Sequence, residues 1–399
     1  MRVSTGMIFS RGVESMQKQT ASMLHTQQQA ASGRRILTPA DDPVAAARAL
    51  EVEQSKRTNA LFQSNQKTAG EALGLVEGQL ASVGNLLQSA RTLAVQGGNG
   101  ALSAADRRSI AGELRQRFDE LIGLANATDG DGQHLFSGYM GDTRPFAGSV
   151  SGGVAYSGDE GQRKLQVSAS RQVAVSDSGS DVFMRIRNGN GTFATSAAAA
   201  NTGSGVIDGG SAVGSFVPDT YTISFTPAGP GLNYTVTGLV SGVVASGAYT
   251  SGQAIAFNGA SVAITGAPAA TDTFQVATST SQSMFATLAN LVTALEAPAT
   301  GAGADALLAN RIGAALANLD QAEENLLRVR ATIGARHNEI ESLASAGEDL
   351  NLNYEQTLAR LQDLDYADAL SRLSRQQMTL EAAQKTFINV SGLSLFNYV

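Results

Sequence analysis

The stretch Ala31-Ser32-Gly33-Arg34-Arg35-Ile36-Leu37-Thr38-Pro39-Ala40-Asp41-Asp42-Pro43 ends one helical pattern and begins another. Gly33 is the residue type best able to enter a left-handed helix C-cap. Further on, Asp42 can accept from orphan amides as an N-cap. Pro43 then takes the first helical position, where its missing N–H costs nothing. Negative charge at Asp41 and Asp42 also suits the positive end of a helix dipole. The segment therefore reads as helix, corner, helix.

Working outward, the first helix is expected from Thr5 to Ser32. Phe9, Val13, Met16, Thr20, Met23, Gln27 and Ala30 recur there by fours and threes, the spacing of one helix face. After the corner, a second helix runs from Val44 to about Val95. Its stripe is Phe62, Ala69, Leu73, Val76, Leu80, Val83, Leu87, Ala90 and Ala94, with Gln66 as the polar exception. A third follows Ser103 or Asp106 and reaches about Asn126. At the other end Met284 to Ala297 is a short amphipathic segment. Beyond it Ile312, Ala315, Leu319, Ala322, Leu326, Val329, Ile333, Ile340 and Leu343 keep heptad spacing, interrupted by Arg336. A last helix is expected over roughly 350–390, carrying Tyr366, Leu370, Leu373, Gln377, Leu380, Gln384 and Phe387. Sustained three-four spacing predicts coiled-coil packing.

The middle differs in kind. Roughly residues 146 to 283 are rich in Gly, Ser, Ala, Thr and Val, with turn residues at short intervals. Strand candidates are 165–169, 182–187, 221–226, 232–240, 253–257, 261–265 and 273–277, and the run Ala197 to Ala200 reads as a mobile loop. The predicted fold is mainly α with an inserted antiparallel β domain, the long N- and C-terminal helices pairing in a coiled-coil bundle. The expected domains are 1–42 with 351–399, then 43–145 with 284–350, and 146–283.

Composition narrows the function. Hydrophobic residues make up 43% of the 399, enough for a sizeable core. The net charge of −7 with no basic block argues against nucleic-acid binding. The absence of cysteine removes disulfides, thiolate metal sites and a Cys nucleophile. No apolar run of about 18 residues is present, so no membrane insertion is expected. The N-terminus carries no apolar core or cleavage site of a signal peptide. His25, His134 and His337 stand apart, and His337-Asn338-Glu339 has the wrong order for a zinc helix. The segment 203–209 misses dinucleotide-loop spacing. No catalytic, metal or cofactor site is predicted.

Gly33, Arg35, Ile36, Asp41, Asp42 and Pro43 of the opening stretch closely resemble the N-terminal signature of the bacterial flagellin superfamily. Asp363-Leu364-Asp365-Tyr366-Ala367-Asp368-Ala369, with Gln376-Gln377 and the ending Leu393-Ser394-Leu395-Phe396-Asn397-Tyr398-Val399, is similar to its other end. Within the superfamily the chain looks most like the hook-associated protein 3 (hook–filament junction) family. Met1-Arg2-Val3-Ser4-Thr5, Gln133 to Tyr139 with Arg144-Pro145-Phe146, and Ile255 to Asp272-Thr273-Phe274 carry that preference. The alternative is flagellin itself, the filament subunit.

The resemblance implies a flagellin-like layered architecture and a structural adaptor in the bacterial flagellum. It implies export without a cleavable signal, a type III export chaperone on the C-terminal helices, and an extracellular ring-like zone of copies. That zone lies between the first hook-associated (hook-side junction) protein and flagellin. Phe9, Val13, Met16, Met23, Leu370, Leu373, Leu380 and Phe387 are the expected assembly contacts. Ordering about 30 terminal residues costs roughly 1–2 kcal/mol each. About seven stripe residues regain at most roughly 1.5–3 kcal/mol each. The extreme termini are therefore expected to order only on assembly.

Overall fold

Helix boundaries follow local chemistry closely. Ser103 accepts from the Asp106 amide while the Asp106 carboxylate accepts from the Ser103 amide, a capping box that opens the third helix. Ser283 does the same single-handedly for the fourth, accepting from Ala286. The computed structural model describes residues 5–297 and 303–392. Helices α1 (Thr5–Ser32), α2 (Pro43–Gly97) and α3 (Ala104–Ala125) precede the strands. Helices α4 (Met284–Glu296), α5 (Ala304–Gln362) and α6 (Tyr366–Gly392) follow them. The architecture is mainly α with an inserted antiparallel β region. Contacts divide the chain into two units, Met1–Ser64 with Ser342–Val399 and Asn65–Glu341.

In the unit 65–341, α2 and α5 run antiparallel. The methyl of Leu326 lies 3.3 Å from where a Cβ on Gly84 would stand. Glu77 takes both hydrogen bonds of Arg330, at 2.8 and 2.7 Å, and Arg91 pairs with Asp320. The stripes read from the sequence meet here: Leu73, Val76, Leu80, Val83 and Leu87 are buried, as are Ile312, Leu319, Leu326 and Ile333. Arg336, which breaks the second stripe, has a partner of its own. Its guanidinium donates to both oxygens of Asp177, at 2.9 and 3.1 Å, and both side chains are largely buried. A paired and bonded charge of this kind is tolerated where a lone one is not.

The β region contains β1 (Phe146–Ser149), β2 (Gly153–Tyr156), β3 (Lys164–Ser168), β4 (Arg171–Ala174), β5 (Ile186–Arg187), β6 (Phe193–Ala197), β7 (Val206–Ile207) and β8 (Ser211–Ala212). After these come β9 (Thr220–Ala228), β10 (Gly231–Gly238), β11 (Gly242–Ala248), β12 (Ala254–Phe257), β13 (Ala260–Thr265), β14 (Thr273–Thr278) and β15 (Ser281–Gln282). A five-stranded sheet runs β11-β10-β9-β14-β6, and a second runs β12-β13-β7 with β8 beside β13. Alternation does the sorting: Tyr221, Ile223 and Phe225 of β9 point inward with Val236, Phe274, Val262 and Ile264 into one core.

Two expectations fail here. Residues 182–187 form no single strand; Ser180–Met184 is a π-helical turn and only Ile186–Arg187 is strand. Packing decides this, because Phe183 meets Phe136, Phe146 and Phe285 in an aromatic cluster that alternation does not encode. The expected loop over Ala197 to Ala200 fails only at its first residue: Ala197 belongs to β6, paired with Phe274 of β14, while 198–200 lie outside any strand; a small-residue run carries no alternation to announce a strand. Within the same cluster Phe118 of α3 packs on Phe285 of α4 at 6.1 Å between centroids.

Phe285 is 1% exposed. Replacing Phe285 with Ala should lower stability by about 3–5 kcal/mol, read from the urea midpoint of the transition that includes the α3–α4 contact. An unchanged midpoint would remove the cluster from the core.

Candidate assembly surface

Helix α5 ends at Gln362, and the last carbonyls of any helix have no partner inside it. Here Arg35 supplies one. Its backbone N–H donates to the Gln362 carbonyl at 2.7 Å and its Nη2 to the Leu361 carbonyl at 2.8 Å. Nη1 donates to Asp42 Oδ2 at 3.1 Å, while Asp42 Oδ1 accepts from the Ala45 amide at 3.0 Å. One arginine thus stands between the negative end of α5 and the carboxylate that caps α2. The Gly33 carbonyl accepts from Leu364 at 3.0 Å, and the Gln29 amide donates to the Arg35 carbonyl at 2.5 Å. Gly33 has φ +70°, and a Cβ there would sit 3.0 Å from the Tyr366 hydroxyl.

The two motif segments quoted from the sequence are therefore one clasp. Asp41 accepts from the Leu37 and Thr38 amides at 2.9 and 2.8 Å and pairs with His25 Nε2 at 3.0 Å. The Thr38 amide, with Leu37 and His25, holds the Asp41 carboxyl below its ordinary range. Donation from Ala45, then from Arg35, does the same for Asp42. Ile36 is half-buried and Pro43 exposed. Leu395 lies outside the described residues. The clasp also corrects one expectation: a continuous helix over 350–390 is broken at 363–365, where Asp365 accepts from Ala367 and Asp368 to start α6.

From the clasp, α1 and α6 pair antiparallel. Ser22 accepts from Gln376 Nε2 at 2.8 Å, and the rings of Phe9 and Phe387 lie 4.8 Å apart. Gly12 permits that approach, since a Cβ would fall 3.0 Å from the Phe387 ring. The pair is apolar but unfinished. Val13, Met16, Met23, Leu373, Leu380 and Phe387 are half-buried. Phe9 and Leu370 remain 53% and 57% exposed. Sequence reasoning missed Leu24, Met378 and Val390 on these helices, and Leu50 and Leu61 on α2 and Leu352 on α5, all exposed. Their signal was apolar residues off the main stripe.

Residues 3–140 match the family described as bacterial flagellin N-terminal helical region, and residues 316–398 match the bacterial flagellin C-terminal helical region. Flagellar hook-associated protein 3 of Escherichia coli is 28% identical over 397 residues, covering 99% of each chain. The crystal structure of the flagellar junction protein FlgL from Legionella pneumophila superposes with a TM-score of 0.73 at 34% identity. That match covers 79% of this chain and 100% of the other. The chain belongs to the flagellar hook-associated protein 3 family. Flagellin of Listeria monocytogenes, by contrast, is 30% identical over only 131 residues, 32% of this chain and 45% of its own. The hook-associated protein 3 likeness runs end to end, the flagellin likeness does not, and this member is a structural adaptor of the flagellar hook–filament junction.

Among the described residues, no cluster of three or more His, Asp or Glu could hold a metal, and no helix is long and apolar enough to cross a membrane. Lowered carboxyl values give the clasp a pH sign. Its stabilisation is full above the ordinary carboxylate range, about pH 4, and is lost as pH falls through the lower folded values. Hydrogen exchange in assembled flagella should show the Leu37, Thr38 and Ala45 amides losing protection below about pH 4. Asp42→Ala should release Ala45 at neutral pH, and unaltered Ala45 protection in that variant would remove the cap from the clasp.

Proposed function

We propose that this chain joins the first hook-associated protein to the flagellin filament through the open faces of α1 and α6. The observation that carries this is the contrast in burial: stripes of the same kind are closed between α2 and α5 but left half-open on the terminal pair. Phe9, Val13, Met16, Met23, Leu370, Leu373, Leu380 and Phe387 complete their burial against neighbouring subunits. In this reading 1–42 with 351–399 order on assembly as an inner coiled-coil layer. Residues 43–145 with 284–350 form a helical rod, and 146–283 face outward. Copies associate side by side in a ring-like zone. Before export a chaperone covers the C-terminal helices, and the chain leaves the cell unfolded, without a cleavable signal. It carries no catalytic activity.

Deletion of the gene tests this reading. Cells should keep hooks, shed flagellin monomers into the medium and regain filaments when the chain is restored. Cells that instead secrete no flagellin would identify the chain as the filament subunit. A point variant is sharper. Leu373→Asp puts a charge into the proposed inner layer, where burying an unpaired carboxylate is prohibitive, so it should abolish filament attachment and swimming. Normal motility of Leu373→Asp would remove α6 from the assembly face.

A further inference from the structure

Four Asn-Gly steps occur in the chain, at 99–100, 188–189, 190–191 and 258–259. The dipeptide carries latent chemistry of its own. The backbone nitrogen that follows an asparagine can attack the side-chain Cγ, and glycine, with no Cβ, leaves the approach open. A fold suppresses this attack where it fixes the side-chain amide, the following N–H or the turn that joins them.

Three of the four are fixed in this way. Asn188 Oδ1 accepts from the Thr280 amide at 2.9 Å, and its Nδ2 donates to Thr280 Oγ1 at 3.3 Å. The Gly189 N–H, the group that must attack, donates to Asn318 Oδ1 at 2.8 Å, and Gly189 is buried. Asn190 is bonded at both ends. Its Oδ1 accepts from the Thr192 and Phe193 amides at 3.0 and 2.9 Å, and its Nδ2 donates to the Gly209 and Gly210 carbonyls at 3.1 and 3.2 Å. The Gly191 N–H donates to the Asn188 carbonyl at 3.2 Å. Asn258 Nδ2 donates to the Tyr221 hydroxyl at 2.9 Å. The carbonyls of Asn258 and Gly259 accept from Val217 and Val213 at 3.0 and 2.9 Å, so that turn cannot swing without losing both.

Asn99 differs on each count. Both Asn99 and Gly100 are exposed, in the turn that leaves α2. Asn99 Oδ1 accepts from the Ala101 amide at 3.1 Å, which folds the side chain back along its own backbone. That bond also aims a donor at the oxygen on which negative charge develops when Cγ is attacked. Among the described residues, neither Asn99 Nδ2, the leaving group, nor the Gly100 N–H has a partner.

We propose that Asn99 is a self-modification site, converted in the folded chain to isoaspartate and aspartate through a succinimide with Gly100. The Gly100 nitrogen forms a bond to Cγ and gives up its proton. The Cγ–Nδ2 bond breaks, and the nitrogen leaves with that proton as ammonia. Water then opens the ring. Attack at Cγ yields aspartate, and attack at the main-chain carbonyl of residue 99 yields isoaspartate, with the chain rerouted through the side chain. No oxidant or reductant takes part. Either product sets a carboxylate beside the unpaired carbonyls that end α2, where negative charge is unfavourable. The α2–α3 turn thus carries a slow covalent record of chain age, independent of how the terminal helices assemble.

The test compares the four steps within one molecule. Purified full-length chain is incubated in mildly alkaline buffer, folded and in urea, then mapped by peptide fragmentation that separates isoaspartate from aspartate. In the folded chain, isoaspartate should accumulate at 99 about tenfold or more faster than at 188, 190 or 258, because each hydrogen bond that must break there adds to the barrier. In urea the four rates should converge. An equal rate at any of the other three in the folded chain, or aspartate at 99 without isoaspartate, overturns the assignment. The same preference for 99 in urea also overturns it, since the fold is then not the cause. A Cβ at Gly100 meets open space and its backbone is not left-handed, so Gly100→Ala keeps the fold. It should slow the change at 99 about tenfold or more, and an unchanged rate in that variant would contradict attack by this nitrogen.

Discussion

Much of the unit built from the two ends of the chain depends on the unpaired carbonyls at the end of α5. A helix cannot satisfy its own last carbonyls, and water is the usual substitute. In this protein a residue more than three hundred positions away answers instead, through both its main chain and its guanidinium. Because Arg35 also binds Asp42, which caps α2, the end of one helix and the start of another are fixed by one group. The Gly33–Leu364 bond then sets where α1 and α6 begin to run beside each other. Phe9 reaches Phe387 and Ser22 reaches Gln376 as consequences of that starting point. The ion pair itself is half-exposed and contributes little energy in water. Its value is geometric.

Energy enters through apolar burial, and it is unevenly spread. In the unit 65–341, long stripes on α2 and α5 are closed against each other and an aromatic cluster joins α3 and α4 to the first strands. On α1 and α6 the same residue types stay half-open. At roughly 25 cal/mol per Å² of apolar area removed from water, that open surface is, in the proposed reading, a reserve realised against further chains. A family of assembly subunits gains from this arrangement.

The helices were legible because their punctuation is local. Gly33, Asp42-Pro43 and Ser103 with Asp106 announce ends and starts within a few residues, and the α2 stripe was read correctly from Ala69 to Ala94. Long-range consequences were not legible. Nothing in the spacing of Arg35 says that it caps α5, and the break at 363–365 is set by Asp365 together with the Gly33 bond. In the β region, alternation revealed β9 and β14 but not β6 or β11, whose Ala, Ser and Gly give no period. The π-helical turn at 180–184 follows from Phe183 seeking other rings, which is tertiary information. The expected contact residues were placed together on α1 and α6, but their sequence stripe did not foresee how many apolar neighbours lie beside it.

The central claim is that α1 and α6 of one chain pair antiparallel in the register set by the clasp. The absence of cysteine makes this directly measurable. Ser22→Cys combined with Gln376→Cys, in flagella purified from swimming cells, should be bridged by a short thiol-to-thiol crosslinker within a single chain and leave the chain monomeric on a denaturing gel. Crosslinked dimers instead, or a bridge forming only when the second cysteine is moved one heptad along α6, would contradict the account.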